Sequence, residues 1–194
     1  MIEIFKTIAD ASTGEFKDRG SKFIAYSFPI NNTEDAAAKI LFTKTEHPKA
    51  RHYCFAYRLG TDQLIFRASD DGEPSGTAGK PILGQIDSFG LTNVIVIVVR
   101  YFGGVLLGTG GLINAYREAA KISLAHSKII EQTILYNVTA KCEYNLLPVL
   151  MKWIKKYAIK INEQKIADEC VFNLSVDKEQ LKLLRTMNGI TTES

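Results

Sequence analysis

With 194 residues the chain has room for one large domain or two small ones, and a hydrophobic fraction of 46% with a mean hydropathy of −0.02 suits packed cores in water. The net charge is only +3. Residues 1–130 hold 15 Lys/Arg against 13 Asp/Glu and residues 131–194 hold 9 against 8, so neither part has the strongly basic footprint of a dedicated nucleic-acid binder, and any anion site must come from local clustering.

The start, Met1-Ile2-Glu3-Ile4-Phe5-Lys6, carries charges inside its apolar run, unlike a signal peptide. Ile24, Tyr26, Phe28 and Ile30 then alternate with smaller or polar residues, the period of a half-buried strand. Thr33 is the expected N-cap of a helix with Glu34 and Asp35 in its first turn, carrying Ala37, Ile40 and Leu41 and ended by Pro48. Two strands follow about a turn at Gly60-Thr61-Asp62. Tyr53, Phe55, Tyr57 and Leu59 point to one face; His52, Cys54, Ala56 and Arg58 point to the other. With Thr61-Asp62 as a two-residue turn, Tyr57 lies opposite Phe66, Leu64 and Ala68 join the apolar face, and Arg67 shares the other face with His52 and Arg58.

Pro81 suits the first turn of a helix bearing Ile82, Leu83 and Ile86, with Gly90 as its C′ residue. Thr92 to Val99 is nearly unbroken β-branched sequence, as in a strand covered on both faces, and is far too short for the roughly 20 residues that span a bilayer. A helix from about Gly111 places Leu112, Ile113, Tyr116, Ala119, Ala120 and Ser123 inward. The order β-α-β-β-α-β-α predicts an α+β layer sandwich over residues 1–130. From Glu131 a second unit begins: a strand over 133–141, an amphipathic helix over 143–157, strands over 158–163 and around Cys170, Phe172, Leu174 and Val176, and a helix over 179–187. That order, β-α-β-β-α, predicts a ferredoxin-like domain over residues 131–194 that lacks or hides its last strand. Cys54, Cys142 and Cys170 are odd in number and lack metal-type spacing, as expected of buried reduced thiols in a cytoplasmic protein.

Two glycine-rich stretches carry the functional signal: Asp70-Asp71-Gly72-Glu73-Pro74-Ser75-Gly76-Thr77-Ala78-Gly79-Lys80-Pro81 and Arg100-Tyr101-Phe102-Gly103-Gly104-Val105-Leu106-Leu107-Gly108-Thr109-Gly110-Gly111-Leu112. Neither completes a nucleotide motif. Ile113 stands where a dinucleotide fingerprint needs its third glycine, and Pro81 follows Gly79-Lys80 where a P-loop needs Ser or Thr. A glycine-rich turn into a helix N-terminus remains, where free N–H groups could hold an anion; the alternative is that these glycines only let strand and helix pack closely. Asp70, Asp71 and Glu73, with His52, could serve a hydrolase, although turns of this kind carry carboxylates for their own reasons. His47 precedes a proline at a helix end and His126 lies on a helix flank, so no triad or metal set can be assembled from neighbouring residues, and no cofactor or metal is expected. Arg51, His52, Arg58, Arg67, Lys80, Arg100 and Arg117, with Tyr101 and Phe102 to stack, form a candidate anion or nucleic-acid face.

The strings His47-Pro48-Lys49-Ala50-Arg51-His52, Asp70 through Leu83, and Asn93 through Leu112 resemble the YigZ/IMPACT family over roughly residues 18–125. The resemblance implies an N-terminal domain of the ribosomal-protein type, similar to domain IV of elongation factor G, and a ferredoxin-like C-terminal domain similar to domain V of that factor. It implies the bacterial form, since the length leaves no room for the RWD domain of the eukaryotic relatives, which regulate translation. The expectation is a cytoplasmic translation-linked protein that binds RNA or the ribosome through its N-terminal glycine-loop and arginine face, with no membrane partner. A protein-interaction module contacting the translation machinery is the alternative. One departure is Asn114, which precedes Ala115-Tyr116 where the family pattern has arginine; Arg117 lies one turn on.

Overall fold

The computed structural model describes residues 3–62 and 64–193. In chain order the elements are β1 (Ile4–Ile8), β2 (Ser12–Asp18), β3 (Ser21–Pro29), α1 (Thr33–Glu46), β4 (His52–Leu59), β5 (Ile65–Ser69), α2 (Gly79–Ser88), β6 (Val94–Tyr101), α3 (Gly108–Ala125), β7 (Ile129–Thr133), β8 (Tyr136–Glu143), α4 (Leu147–Lys156), β9 (Lys160–Lys165), β10 (Glu169–Val176), α5 (Lys178–Arg185) and β11 (Ile190–Glu193). The chain is α+β and divides into two compact units, the first of residues 5–132 and the second of residues 133–193 together with Glu3 and Ile4. No helix among the described residues is long and apolar enough to cross a membrane.

In the first unit a five-stranded antiparallel sheet of order β2-β3-β6-β4-β5 is covered on both faces. The central strand β6 shows why. Val94, Val96 and Val98 pack beneath α2 and α3 with Phe23, Cys54, Ile82, Leu112 and Tyr116. Ile95, Ile97 and Val99 pack on the α1 side with Phe28, Tyr53, Phe55 and Tyr57. β3 is likewise covered on both faces rather than half-buried: Phe23 and Ala25 join the first core and Phe28 the second. Asn32, not Thr33, caps α1, its side-chain oxygen accepting from the Asp35 amide at 2.7 Å. Gly90 ends α2 with a φ of 65°, as expected of a C′ glycine. α3 begins at Gly108 rather than near Gly111, and Ile113 faces outward instead of into the core.

The β4–β5 register differs from the expected one. Tyr57 pairs with Arg67 and Arg58 with Phe66, because five residues, 60–64, connect the strands instead of a two-residue turn; Gln63 lies outside the described residues. One step of register turns every side chain of a strand to the other face. Arg67 therefore leaves the His52/Arg58 face and lies 5.7 Å from the Phe55 ring on the α1 side. Leu64 and Phe66 are exposed rather than part of an apolar face.

The second unit is β-α-β-β-α-β with sheet order β11-β8-β10-β9, the ferredoxin-like arrangement with its last strand present. That strand, Ile190–Glu193, escapes periodicity because it is only four residues long, and it pairs with β8 from Ile190↔Cys142 to Glu193↔Thr139. Leu150, Trp153, Phe172, Leu174 and Leu184 form a core of its own. Residues 133–194 expressed alone are therefore expected to unfold cooperatively on heating, with dispersed amide signals. A disordered fragment would refute independent folding. Cys54, Cys142 and Cys170 are free and buried.

Candidate functional site

The acidic loop is built as a brace. The Asp70 carboxylate accepts from the backbone N–H groups of Gly76 at 2.8 Å and of Ala78 and Gly79 at 2.9 Å each. Burial raises the Asp70 pKa, but those three bonds more than offset it and hold the carboxyl below its usual range. The N-terminus of α2, where an external anion could have bound, is thus filled by the protein's own carboxylate. Gly79 serves packing: a Cβ there would stand 2.5 Å from the Ser69 nitrogen. Thr77 is buried, its hydroxyl donating to the Pro74 carbonyl at 2.7 Å. Asp71 accepts from the Tyr53 amide at 2.7 Å, and its carbonyl accepts from His52 Nδ1 at 2.9 Å. Burial pushes the Cys54 thiol pKa up, and the thiol donates to the Asp70 carbonyl, so it is not set up as a nucleophile.

Glu73 reaches further. Its Oε1 accepts from Arg100 Nη1 at 2.7 Å and from the Tyr116 hydroxyl at 2.8 Å. The Arg100 and Glu73 side chains are only 7% and 4% exposed, and the guanidinium lies 5.5 Å from both the Phe23 and Phe102 rings. This pair ties the acidic loop to the end of β6 and to α3. All three carboxylates proposed for a hydrolase are thereby engaged within the fold.

A cleft of about 560 Å³ opens at that end of the sheet, lined by Lys49, Arg51, His52, Arg100, Tyr101, Phe102 and Leu106. His52 stands opposite Arg100 in the β4–β6 ladder, which places both on one face. Phe102 is 58% exposed at the rim. Tyr101 belongs to the opposite face, where its hydroxyl meets His47 Nδ1 at 2.9 Å while the Tyr26 hydroxyl meets Nε2 at 2.6 Å. Burial lowers the His47 pKa, in keeping with a neutral ring that donates from one nitrogen and accepts at the other.

The structure brings together Arg51, His52, Arg100, Tyr101 and Phe102 from the sequence-derived set and separates the rest. Arg58 lies at the far end of β4, roughly 20 Å from His52 at strand spacing, where it is paired with Asp87 and lies 5.3 Å from the Phe66 ring. Lys80 and Arg117 line a different groove, between α2 and α3, with Gly76, Pro81 and Ile113. Arg117 there donates to Asn114, the residue that departs from the family pattern. The α3 N-terminus, Gly108-Thr109-Gly110-Gly111, has no side-chain cap and no acidic residue in its first turn. Gly72, Gly76, Gly104 and Gly108 take positive φ, and Gly103 packs against Gly20. Sequence reasoning missed Lys49 and Leu106 as lining residues; Lys49 sits inside the quoted 47–52 string and was the available signal.

Residues 19–124 match the Impact N-terminal domain family. The chain is 43% identical over 131 residues to the Escherichia coli IMPACT family member YigZ, covering 66% of this chain and 63% of that protein. It is 30% identical over 180 residues to the Bacillus subtilis IMPACT family member YvyE, covering 93% of this chain and 83% of that one. A crystal structure described only as that of a hypothetical protein superposes with a TM-score of 0.81 at 31% identity, covering 100% of this chain and 98% of the other. The chain belongs to the IMPACT family.

Proposed function

We propose that this member of the IMPACT family is a cytoplasmic, translation-linked protein that binds single-stranded RNA, free or exposed on the ribosome, in the cleft at the end of β6. One observation carries the reading: the cleft is lined by Lys49, Arg51, His52, Arg100, Tyr101 and Phe102, with no carboxylate among the described lining residues. Cations that track phosphates beside an exposed aromatic ring on which a base can stack are what single-stranded recognition requires. Family resemblance supplies the translation link. The engaged carboxylates of the acidic loop favour binding over hydrolysis.

Titration of a labelled single-stranded RNA at several salt concentrations tests this. Each phosphate neutralised contributes about −0.7 to the log–log slope, so Lys49→Ala and Arg51→Ala are each expected to flatten it by about one contact. Phe102→Ala is expected to weaken binding by about 1–3 kcal/mol with the slope unchanged. Arg67→Ala, on the α1 side of the sheet, is expected to do nothing. Salt-independent binding, or none at physiological salt, would turn the reading to a protein partner.

A further inference from the structure

We infer that His52 makes the cleft selective for ribose over deoxyribose by accepting a hydrogen bond from a 2′-hydroxyl, an inference that rests on the RNA-binding reading of the same cleft. The tautomer is fixed by geometry. His52 Nδ1 lies 2.9 Å from the Asp71 carbonyl oxygen, and a carbonyl only accepts, so Nδ1 carries a proton and the lone pair of the neutral form of the ring is the one at Nε2. Asp71 is itself held, by the bond from the Tyr53 amide at 2.7 Å, so the carbonyl that orients the imidazole is anchored.

Nε2 has no partner among the described residues, and His52 lines the cleft. Its polar neighbours offer the opposite chemistry. Lys49, Arg51 and Arg100 are donors without lone pairs, and the Tyr101 hydroxyl is taken up by His47. His52 Nε2 is thus an unengaged acceptor among the described residues, in a cleft whose Lys49 and Arg51 call for an anion. A ligand that satisfies both carries an anion and a hydrogen-bond donor close together, and an RNA strand does so with its phosphate oxygens and a sugar hydroxyl within one nucleotide step. An internal ribonucleotide has both; an internal deoxynucleotide has only the phosphates. The 2′-hydroxyl is the group by which a protein tells the two apart.

The test uses the full chain and three strands of one uracil-containing sequence: RNA, its all-2′-deoxy counterpart, and its 2′-O-methyl counterpart, which keeps the oxygen but cannot donate. A single neutral hydrogen bond contributes about 0.5–1.5 kcal/mol net, so RNA is expected to bind about three- to tenfold tighter than either of the others, at equal salt slopes. His52→Phe keeps the ring and removes Nε2; it is expected to bind RNA and the deoxy strand alike. Should that variant misfold for want of the bond to Asp71, equal binding of the three strands by the unaltered protein still overturns the assignment. Equal binding of all three overturns the assignment and leaves RNA binding standing, as does 2′-O-methyl RNA binding as tightly as RNA. A preference that survives His52→Phe places the selection elsewhere and also overturns it. Binding of none of them overturns the RNA reading itself.

Discussion

Glu73→Gln is expected to lower the melting temperature of the N-terminal unit by a large margin. Arg100 stays where it is, buried between Phe23 and Phe102, but loses the carboxylate 2.7 Å from its Nη1. Removing one partner of a buried ion pair costs about 3–5 kcal/mol, because the remaining charge is left without compensation. In a unit of this size each kcal/mol moves the midpoint by roughly 2–8 °C, so a fall on the order of 10 °C or more is expected. Arg100 also has a buried Nε without a hydrogen-bond partner among the described residues, so none of them is placed to take over the charge. Arg100→Met should be similarly damaging alone, whereas Glu73→Leu with Arg100→Met should recover much of the loss, since a buried pair replaced by apolar groups is often close to neutral. Single variants melting within a degree or two of the parent would show that the pair is not a structural tie. The same logic explains why Arg100→Ala is a poor probe of RNA binding: lost affinity would report a loosened site as much as a lost phosphate contact.

Where neighbours in sequence decide the structure, the chain was legible. The β-branched run into β6, the Gly90 stop after α2 and the alternation of Cys170, Phe172, Leu174 and Val176 each rest on a single element's period or cap, and each stands as read. What failed depended on a length or a partner that no local pattern encodes. Three more residues in the β4–β5 connection moved Arg67 to the other face and split the proposed basic cluster. The roles of Asp70 and Glu73 were hidden for a related reason. A carboxylate in a glycine-rich turn reads the same whether it faces solvent or three backbone amides, and only tertiary structure brings Arg100 and Tyr116 to Glu73. The cleft was half visible: Arg51 and His52 came from one string and Tyr101 and Phe102 from another, but their convergence follows from the antiparallel pairing of His52 with Arg100.

Two glycines of the second loop are expected to respond to alanine with opposite signs. A Cβ on Gly103 would stand 1.9 Å from the Gly20 carbonyl carbon and 2.2 Å from both the Gly20 oxygen and the Ser21 nitrogen. These are backbone atoms in the turn between β2 and β3, where Arg19 and Gly20 take positive φ between the paired residues Asp18 and Ser21. No side-chain rotation can relieve the clash, so the loop must leave the turn and give up the bond from the Gly103 amide to Ser21 Oγ at 3.1 Å. Overpacking costs about 1–3 kcal/mol, occasionally more, and the upper end is expected because backbone must move. Phe102 immediately precedes this contact, so RNA affinity should fall with it. Gly110 lies in the first turn of α3, and an added Cβ there would meet nothing within 4 Å. Gly110→Ala should therefore stabilise by up to about 1 kcal/mol through helix propensity and reduced freedom of the unfolded chain. Thermal melts of the two variants beside the parent decide the matter. Gly103→Ala melting like the parent would show that the approach to Gly20 is looser than the backbone distances require. If Gly110→Ala is stabilised and still loses RNA, a ligand must come against the α3 N-terminus, and the binding surface extends beyond the cleft to Gly108 and Thr109.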